Sequence, residues 1–489
     1  MYPAYRKESY ARIVLPFILG IGAAATAIFL DELKVKTILA LLAALAFLVG
    51  VLYFASRKNL TSIAIIFLGL GIPFNLDINL LYREYVGVTS IDIGLSLLSA
   101  LLLYVLFLYE HYTKRTTEPT FRYNRTLLWA PIIYILSGML SFANAASPEL
   151  SLLELARLGS LLIIFFIVMN LKDRSQVDTF LLTLSAGVVI ETAIAMYQYY
   201  TGHTLGLSAL GERELGTLEV WYAGSRASGT IGHANILAYY FEILIPLMFA
   251  MFLGEERPLR KIWYSFVTIV GLVGIMTTLS RGGWMSLPLP LALVFFCLIR
   301  KKITQSKTLV GLFFVGMIFC GLGILAYPTV QKRLTYEDFG SAATRAPLNK
   351  AALSIVRQFP VFGVGLNNLA KVFKTYDTTG GSSLFRTSTH VVHNLYLAVW
   401  AETGTVGLIA FLWMFIAALV IAFKVMLRAP PWQQAIAVGA AAGLIAQLIH
   451  GSADPGFRIL MNVSTLVYSM FGLIGAMSIL RRKEESPGL

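Results

Sequence analysis

The stretch LLELARLGSLLIIFFIVM, residues 152–169, decides the fold, because only Glu154 and Arg157 interrupt its apolar run with charge. A helix of that length rises about 27 Å, close to the hydrocarbon thickness of a bilayer, about 30 Å. Charges inside such a run are costly in lipid, so Glu154 and Arg157 are either paired or functional. Runs of the same kind recur at 13–30, 37–55, 61–76, 93–109, 127–144, 178–200, 235–253, 262–279, 284–299, 308–327, 395–423, 433–450 and 459–480. The weakest is 61–76, which Gly69, Gly71 and Pro73 interrupt and which suits a re-entrant segment equally well.

Composition leads to the same solvent. Of 489 residues 57% are hydrophobic and 13% charged, with a mean hydropathy of +0.73, whereas soluble domains carry about 25% charged residues. Length alone would suggest about three soluble domains, but recurring spans make one bundle the simpler reading. The expected fold class is all-α, a polytopic membrane helical bundle of about 12–14 transmembrane helices with a large extracytoplasmic loop containing amphipathic helices. Four regions follow: N-terminal transmembrane helices at 1–150, a core of transmembrane helices at 151–327, a large loop at 328–394 and C-terminal transmembrane helices at 395–489. The first apolar run lacks a small-residue cleavage site and should stay as a helix. Cys297 and Cys320 both fall in apolar segments, where they pack as small hydrophobes and provide neither a disulfide framework nor a thiolate metal site.

The net charge of +13 comes from basic residues scattered in short clusters between spans, a topological pattern rather than a nucleic-acid stripe. With a cytoplasmic N-terminus, the inside segments hold Arg6, Lys7 and Arg12; Arg57 and Lys58; Lys114, Arg115, Arg122 and Arg125; Lys172 and Arg174. Arg257, Arg260 and Lys261 continue the series, followed by the cluster at 300–307, then Lys424 and Arg428, and finally Arg481, Arg482 and Lys483. Every inside segment is basic, as the positive-inside rule requires. The opposite side receives short polar connections and two long ones, 201–234 and 328–394. The second is itself cationic, with Lys332, Arg333, Arg345, Lys350, Arg357, Lys371, Lys374 and Arg386 against three acidic residues. Anionic headgroups or a lipid diphosphate would use that charge.

Four motifs, far apart in sequence, fall at outer boundaries under this topology: SRASGTIGHAN (225–235), SRGGW (280–284), TRAPLNKAALSIVRQFPVFGVG (344–365) and HVVHNLYLAVWAETGTVGL (390–408). In this order they resemble the O-antigen ligase and Wzy-type polysaccharide polymerase family, over roughly residues 150–425. The likeness is carried by Arg226, His233, Asn235, Ser280, Arg281, Gly282, Arg345, the Pro360 to Gly365 turn, His393, Asn394, Glu402 and Gly404.

Arg281 follows an apolar run and precedes paired glycines, which let a large anion approach the backbone. A snorkelling arginine is the ordinary explanation; diphosphate binding through the planar guanidinium fork is the functional one. Downstream of Arg345, Leu348, Ala351, Ala352, Ile355 and Val356 recur at helical spacing opposite Asn349, Lys350 and Arg357, the pattern of an amphipathic surface helix. Pro347 in the first turn would leave Arg345 beside free amides at the helix N-terminus, an anion site. Local capping or pairing is its alternative. Arg226 and His233 flank a glycine-bearing turn before the span that begins near Asn235, where phosphate or sugar would be held. In HGSADP (450–455), His450 and Asp454 are read as turn chemistry.

The resemblance implies an inverting transfer in which an acceptor sugar hydroxyl attacks the anomeric carbon of a glycan carried on undecaprenyl diphosphate. It puts the catalytic role on His393, since imidazole accepts a proton near neutral pH; His390 is the less favoured candidate. Arg281, Arg345 and Arg226 would bind the lipid diphosphate, with Arg157, His233, Asn235 and Asn394 in support. No Asp-X-Asp, His-Glu-X-X-His or paired Cys-X-X-Cys occurs, so neither a metal site nor a cofactor is recognisable. The implied partners are the lipid-linked donor, a glycan acceptor such as lipid A-core and the bilayer, with no nucleic acid; the implied location is the bacterial cytoplasmic (inner) membrane with the active site on its outer face. Ligase ranks ahead of polymerase and then protein O-oligosaccharyltransferase. A flippase or transporter is the rival outside enzymes, but transporters place polar residues at the midplane of repeated halves, and here they collect at one boundary.

Overall fold

The computed structural model describes residues 57–74, 76–83, 87–114, 119–213, 215, 225–299, 331, 341–376, 392–458 and 460–485. The expected spans 13–30, 37–55 and 308–327 lie outside the described residues. So do the basic clusters at 6–12 and 300–307, Arg115, Cys320, His390 and most of the margins of the long outer loop. The chain divides into two compact units, Met1–Thr61 and Ser62–Leu489; the account below concerns the second.

Among the described residues ten helices are long and apolar enough to cross a membrane, and each coincides with an expected span. The segment 61–76 differs. Helix α1 (Arg57–Leu70) has an apolar part of only Leu60–Leu70, short of spanning length, and the chain then turns into an antiparallel hairpin, β1 (Asp77–Leu80) with β2 (Ile91–Gly94). Glycines and a proline end that helix early. The remaining order is α2 (Leu95–Lys114), α3 (Arg125–Leu140), α4 (Pro148–Met169), α5 (Arg174–Thr201), α6 (Ala234–Gly254) and α7 (Pro258–Thr277). Then come α8 (Arg281–Ser286) leading into α9 (Pro288–Ile299), α10 (Ser341–Gln358), α11 (Leu369–Tyr376), α12 (Leu395–Arg428), α13 (Pro431–His450) and α14 (Met461–Glu485).

Burial sorts these helices into centre and periphery. In α6 every residue from Ile236 to Met251 is buried, and α14 buries 89% of its most apolar window, whereas α2 and α7 bury 33%. A helix apolar all round must be surrounded by protein or lipid; α6 and α14 are surrounded by protein. Helix α13 seats directly on α6, because a Cβ on Gly443 would stand 2.6 Å from the Ile243 carbonyl oxygen, the close approach that small residues allow between membrane helices.

Ion pairs mark one end of the bundle. Lys172 meets Glu110 there at 2.8 Å, Arg174 meets Glu255 at 3.1 Å, and Arg257 bridges Asp178 at 2.7 Å and Glu255 at 2.5 Å. The four sequence motifs lie at the opposite end.

There α12 is broken. Gly404 has φ 65° and ψ −172°, and the residues from Thr405 to Arg428 alone rise about 36 Å, enough to cross. Leu395 to Thr403 is therefore a separate helical piece at the end that carries the motifs, not the top of a single span as expected for 395–423. The break frees carbonyls, and the Pro360–Gly365 turn takes them: Val364 N–H donates to Ala401 O and Gly365 N–H to Glu402 O, both at 3.0 Å, while Thr405 N–H donates to Pro360 O at 2.8 Å. The contact is backbone on backbone, since a Cβ on Gly363 would fall 2.4 Å from Glu402 O and one on Gly404 2.1 Å from Val361 O.

Helix α10 buries the face read from its spacing: Leu348, Ala351, Ala352, Ile355 and Val356 pack with Val364, Leu369, Phe373, Val392, Ala398 and Ala401. Its start differs from expectation. The helix begins at Ser341 and contains Pro347, so Arg345 stands past the first turn, where backbone amides are no longer free.

Candidate functional site

Four chain segments meet at the end away from the basic clusters: the approach to α6, the turn between α7 and α8, the start of α12 and the exit from α13. Their side chains form one connected array.

Asn394 caps α12, its side-chain oxygen accepting from Leu397 N–H at 2.9 Å and its amide donating to Ser452 O at 3.1 Å. Leu395 N–H donates to Gly451 O at 2.7 Å. These bonds fix the start of α12 on the end of α13, and they place His393 beside Asp454. The His393 side chain is 39% exposed, with Nδ1 3.5 Å from Asp454 Oδ2, longer than a well-formed hydrogen bond. Asp454 is buried; its Oδ1 accepts from Gly456 N–H at 3.1 Å and its Oδ2 from the Asn235 amide at 3.2 Å. Burial alone would raise the Asp454 carboxyl, but the neighbouring His393 and His450 imidazoles outweigh it and hold the group below the usual carboxylate range.

The array continues through Asn235 Oδ1, which accepts from Arg226 Nη2 at 2.6 Å, while Arg226 Nε donates to Thr278 O at 3.2 Å. Arg226 thus ties the approach to α6 to the end of α7. The peptide around it is held from below: Gln198 Oε1 accepts from Ser228 and Gly229 N–H at 2.9 and 2.8 Å, and Glu191 accepts from the amide and hydroxyl of Thr230. His233 is exposed and caps α6, its Nδ1 accepting from Asn235 N–H at 3.3 Å.

Arg281 is the first residue of α8, after Ser280, whose hydroxyl caps the helix by accepting from Gly283 N–H at 3.4 Å. The next position must be small, because a Cβ on Gly282 would lie 2.3 Å from His450 Nε2. His450 is stacked on Tyr239, with ring centroids 4.1 Å apart, and its Nδ1 is 2.9 Å from Glu242 Oε2. Glu242 also accepts from Ser286 and Gln447, each at 2.6 Å, and the Tyr239 hydroxyl donates to Asp454 O at 3.1 Å. Arg345 stands on α10, whose apolar face packs with Ala398 and Ala401 at the start of α12, and so lies at the same end of the bundle.

Of the residues singled out from sequence, His393, Asn394, Arg226, His233, Asn235, Arg281 and Arg345 therefore converge. Arg157 does not. It lies in a second, buried cluster, donating to Glu154 through Nε at 2.8 Å and Nη2 at 2.6 Å and to Ser464 through Nη1 at 2.7 Å. Arg458 completes that cluster, 2.6 Å from Glu402 and 3.7 Å from Glu154. Tyr134 and Tyr468 close it around an interior cavity of about 10 Å³, room for about one water molecule.

Sequence reasoning missed Asp454 and His450 as members of the array, treating both as turn residues, and overlooked Tyr239 and Glu242. The signal for Glu242 was present: a lone carboxylate inside the apolar run of α6 is costly unless satisfied or used.

The O-antigen ligase family profile matches residues 239–412 of this chain, which include Arg281, Arg345 and His393. An uncharacterized protein of Haemophilus influenzae is 24% identical over 200 residues, 37% of this chain and 47% of that protein. The matched region thus spans about half the length of that relative.

Proposed function

We propose, on the premise that the chain belongs to the O-antigen ligase family through residues 239–412, that it transfers an undecaprenyl-diphosphate-linked glycan onto an acceptor sugar, lipid A-core first among candidates, at the outer face of the bacterial cytoplasmic membrane. The observation that carries this reading is the convergence of His393 and Asp454 with Arg226, Arg281 and Arg345 at the bundle end opposite the basic clusters.

The chemistry follows from the groups present. His393 Nδ1 faces the ionised Asp454, which favours the tautomer with its proton on Nδ1 and leaves Nε2 to accept. Nε2 takes the proton of the acceptor hydroxyl as its oxygen attacks the anomeric carbon from the side opposite the leaving group. The bond from that carbon to the phosphate oxygen breaks, the electron pair leaves on the lipid diphosphate, and the anomeric configuration inverts. Arg281 and Arg345 neutralise the charge that grows there, and preorganised guanidinium groups suit that task because they need little rearrangement. Arg226, already bound to Asn235 and Thr278 O, holds the wall of the pocket and keeps Asn235 aimed at Asp454.

The test is transfer by the detergent-purified protein given lipid-linked glycan and defined acceptors, with a chelator present in parallel. Product on lipid A-core, unaffected by the chelator, is the expected outcome. Chain growth on a second lipid-linked repeat would reassign the protein as a polymerase, and no product with any acceptor would return it to the transporter class.

A further inference from the structure

We propose that the Pro360–Gly365 turn is embedded in membrane lipid on the site's side of the bilayer, as a non-helical wedge that continues the lipid-facing stripe of α12. The proposal concerns a part of the outer loop and stands whether or not the proposed transfer is correct. Three observations carry it.

The first is chemical. From Phe359 to Leu366 the chain reads FPVFGVGL, without a charged or hydrogen-bonding side chain, between a polar helix, α10, and the polar pair Asn367 and Asn368. Val361 is 50% exposed and Phe362 38%, whereas Val364, Leu369 and Phe373 nearby are buried against α10 and α12.

The second is continuity. Val406, Ile409, Trp413, Ile416, Val420 and Phe423 are all exposed on α12, recurring every three or four residues, so they form one stripe along one face. On a helix that crosses the bilayer, an exposed apolar stripe faces acyl chains. The turn sits at the top of it, since Val406 N–H donates to Val361 O at 3.4 Å and Thr405 donates to Pro360 O through both its amide and its hydroxyl at 2.8 Å. Trp400, whose indole N–H donates to Thr405 Oγ1 at 3.0 Å, stands where an interfacial aromatic belongs.

The third observation is the state of the peptide groups. Irregular backbone enters lipid only when its polar atoms are satisfied within the protein, and here most are, the Val361 and Phe362 amides excepted. Pro360 has no N–H to satisfy. The amides of Gly363, Val364 and Gly365 donate to Phe359 O, Ala401 O and Glu402 O at 3.1, 3.0 and 3.0 Å. The carbonyls of Pro360 and Val361 accept from α12, and that of Gly363 accepts from the Asn144 amide at 2.9 Å.

The experiment is spin labelling in liposomes. In a background with Cys297 and Cys320 replaced by serine, single labels are introduced through Phe362→Cys and, separately, Val361→Cys. Ile409→Cys serves as the lipid-facing reference and Lys350→Cys, exposed on α10, as the aqueous one. Collision with oxygen, which concentrates in acyl chains, is compared with collision with a water-soluble nickel chelate. The expected result is a shift of the oxygen-to-nickel ratio at positions 361 and 362 to that of position 409. A ratio matching position 350 overturns the proposal, and so does shielding from both reagents, which would mean that protein covers the turn. The two label positions guard against one variant failing to fold.

Discussion

The array at the motif end and the buried cluster both set arginines beside carboxylates and differ in how tightly those groups are held. In the cluster, both oxygens of Glu154 receive Arg157, whose remaining Nη1 reaches Ser464, while Arg458 pairs with Glu402. Two guanidinium groups balance two carboxylates, with room for about one water beside them. In the array His393 is well exposed and stands 3.5 Å from its carboxylate, and Arg226 is held by Asn235 and the Thr278 carbonyl rather than by a carboxylate oxygen in the described bonds. A saturated group has nothing left to offer a ligand. An exposed imidazole held loosely by its carboxylate keeps proton-accepting capacity that a closed ion pair lacks, so location at a boundary matters less than how each group is held.

The largest effect that tests this contrast falls on His393. His393→Ala should lower transfer about a hundred- to ten-thousand-fold, the usual contribution of a general base, without changing the melting temperature. Loss of fold in that variant would erase the distinction from the cluster. Arg157→Ala should do the reverse and cost stability by about 3–5 kcal/mol, because it leaves the buried Glu154 with only the more distant Arg458 as a counter-charge. Replacing both members, Arg157→Met with Glu154→Leu, should recover most of the loss on thermal unfolding in detergent. If transfer by the double variant then fell as far as with His393→Ala, the cluster would have a part in the chemistry.

Arg281→Lys and Arg345→Lys come next. Each keeps the charge and loses the planar fork. A charge-assisted hydrogen bond contributes about 1.5–3 kcal/mol, so donor affinity should fall about ten- to a hundred-fold with stability unchanged. Titration of purified protein with a short-chain polyprenyl diphosphate reads this directly, and unaltered affinity in both variants would remove the diphosphate from the site.

How much of this was legible differs by length scale. The ten spans could be read because each is a long apolar run, and α10 because Leu348, Ala351, Ala352, Ile355 and Val356 repeat with the period of a helix. The start of α10 is not legible from Pro347, since proline favours the first turn of a helix whereas α10 accommodates it six residues in. The break at Gly404 was hidden: the residues on both sides are apolar, and run length carries no information about φ. At the site, basic clusters on alternate connections are enough to send the four motifs to one end of the bundle. Contacts within the array were not readable, since the pairing of residue 393 with residue 454 is set by how α12 seats on α13, and HGSADP by itself reads as a turn.

The smallest expected effect lies at the margin of the cluster, where Arg157 acts electrostatically on Asp92 of β2. Across the hairpin Asp77 is paired with Gly94, and a Cβ there would stand 2.1 Å from Asp77 Oδ1, so the carboxyl is tucked over the glycine. Burial, and then the nearby Asp92, push the Asp77 carboxyl up to about 7. The folded chain therefore holds a proton that the unfolded chain, with an ordinary carboxyl value of about 4, releases. Where the folded state binds more protons, stability falls as pH rises. The contribution of Asp77 is fully present below about pH 4 and is lost progressively up to about pH 7. Wild type should thus melt at a lower temperature at pH 8 than at pH 5 by more than Asp77→Asn does, since the amide cannot ionise. Equal pH dependence in the two proteins would show that the Asp77 carboxyl is solvated rather than tucked over Gly94, and the hairpin would then have to be drawn as detached from the charged cluster behind it.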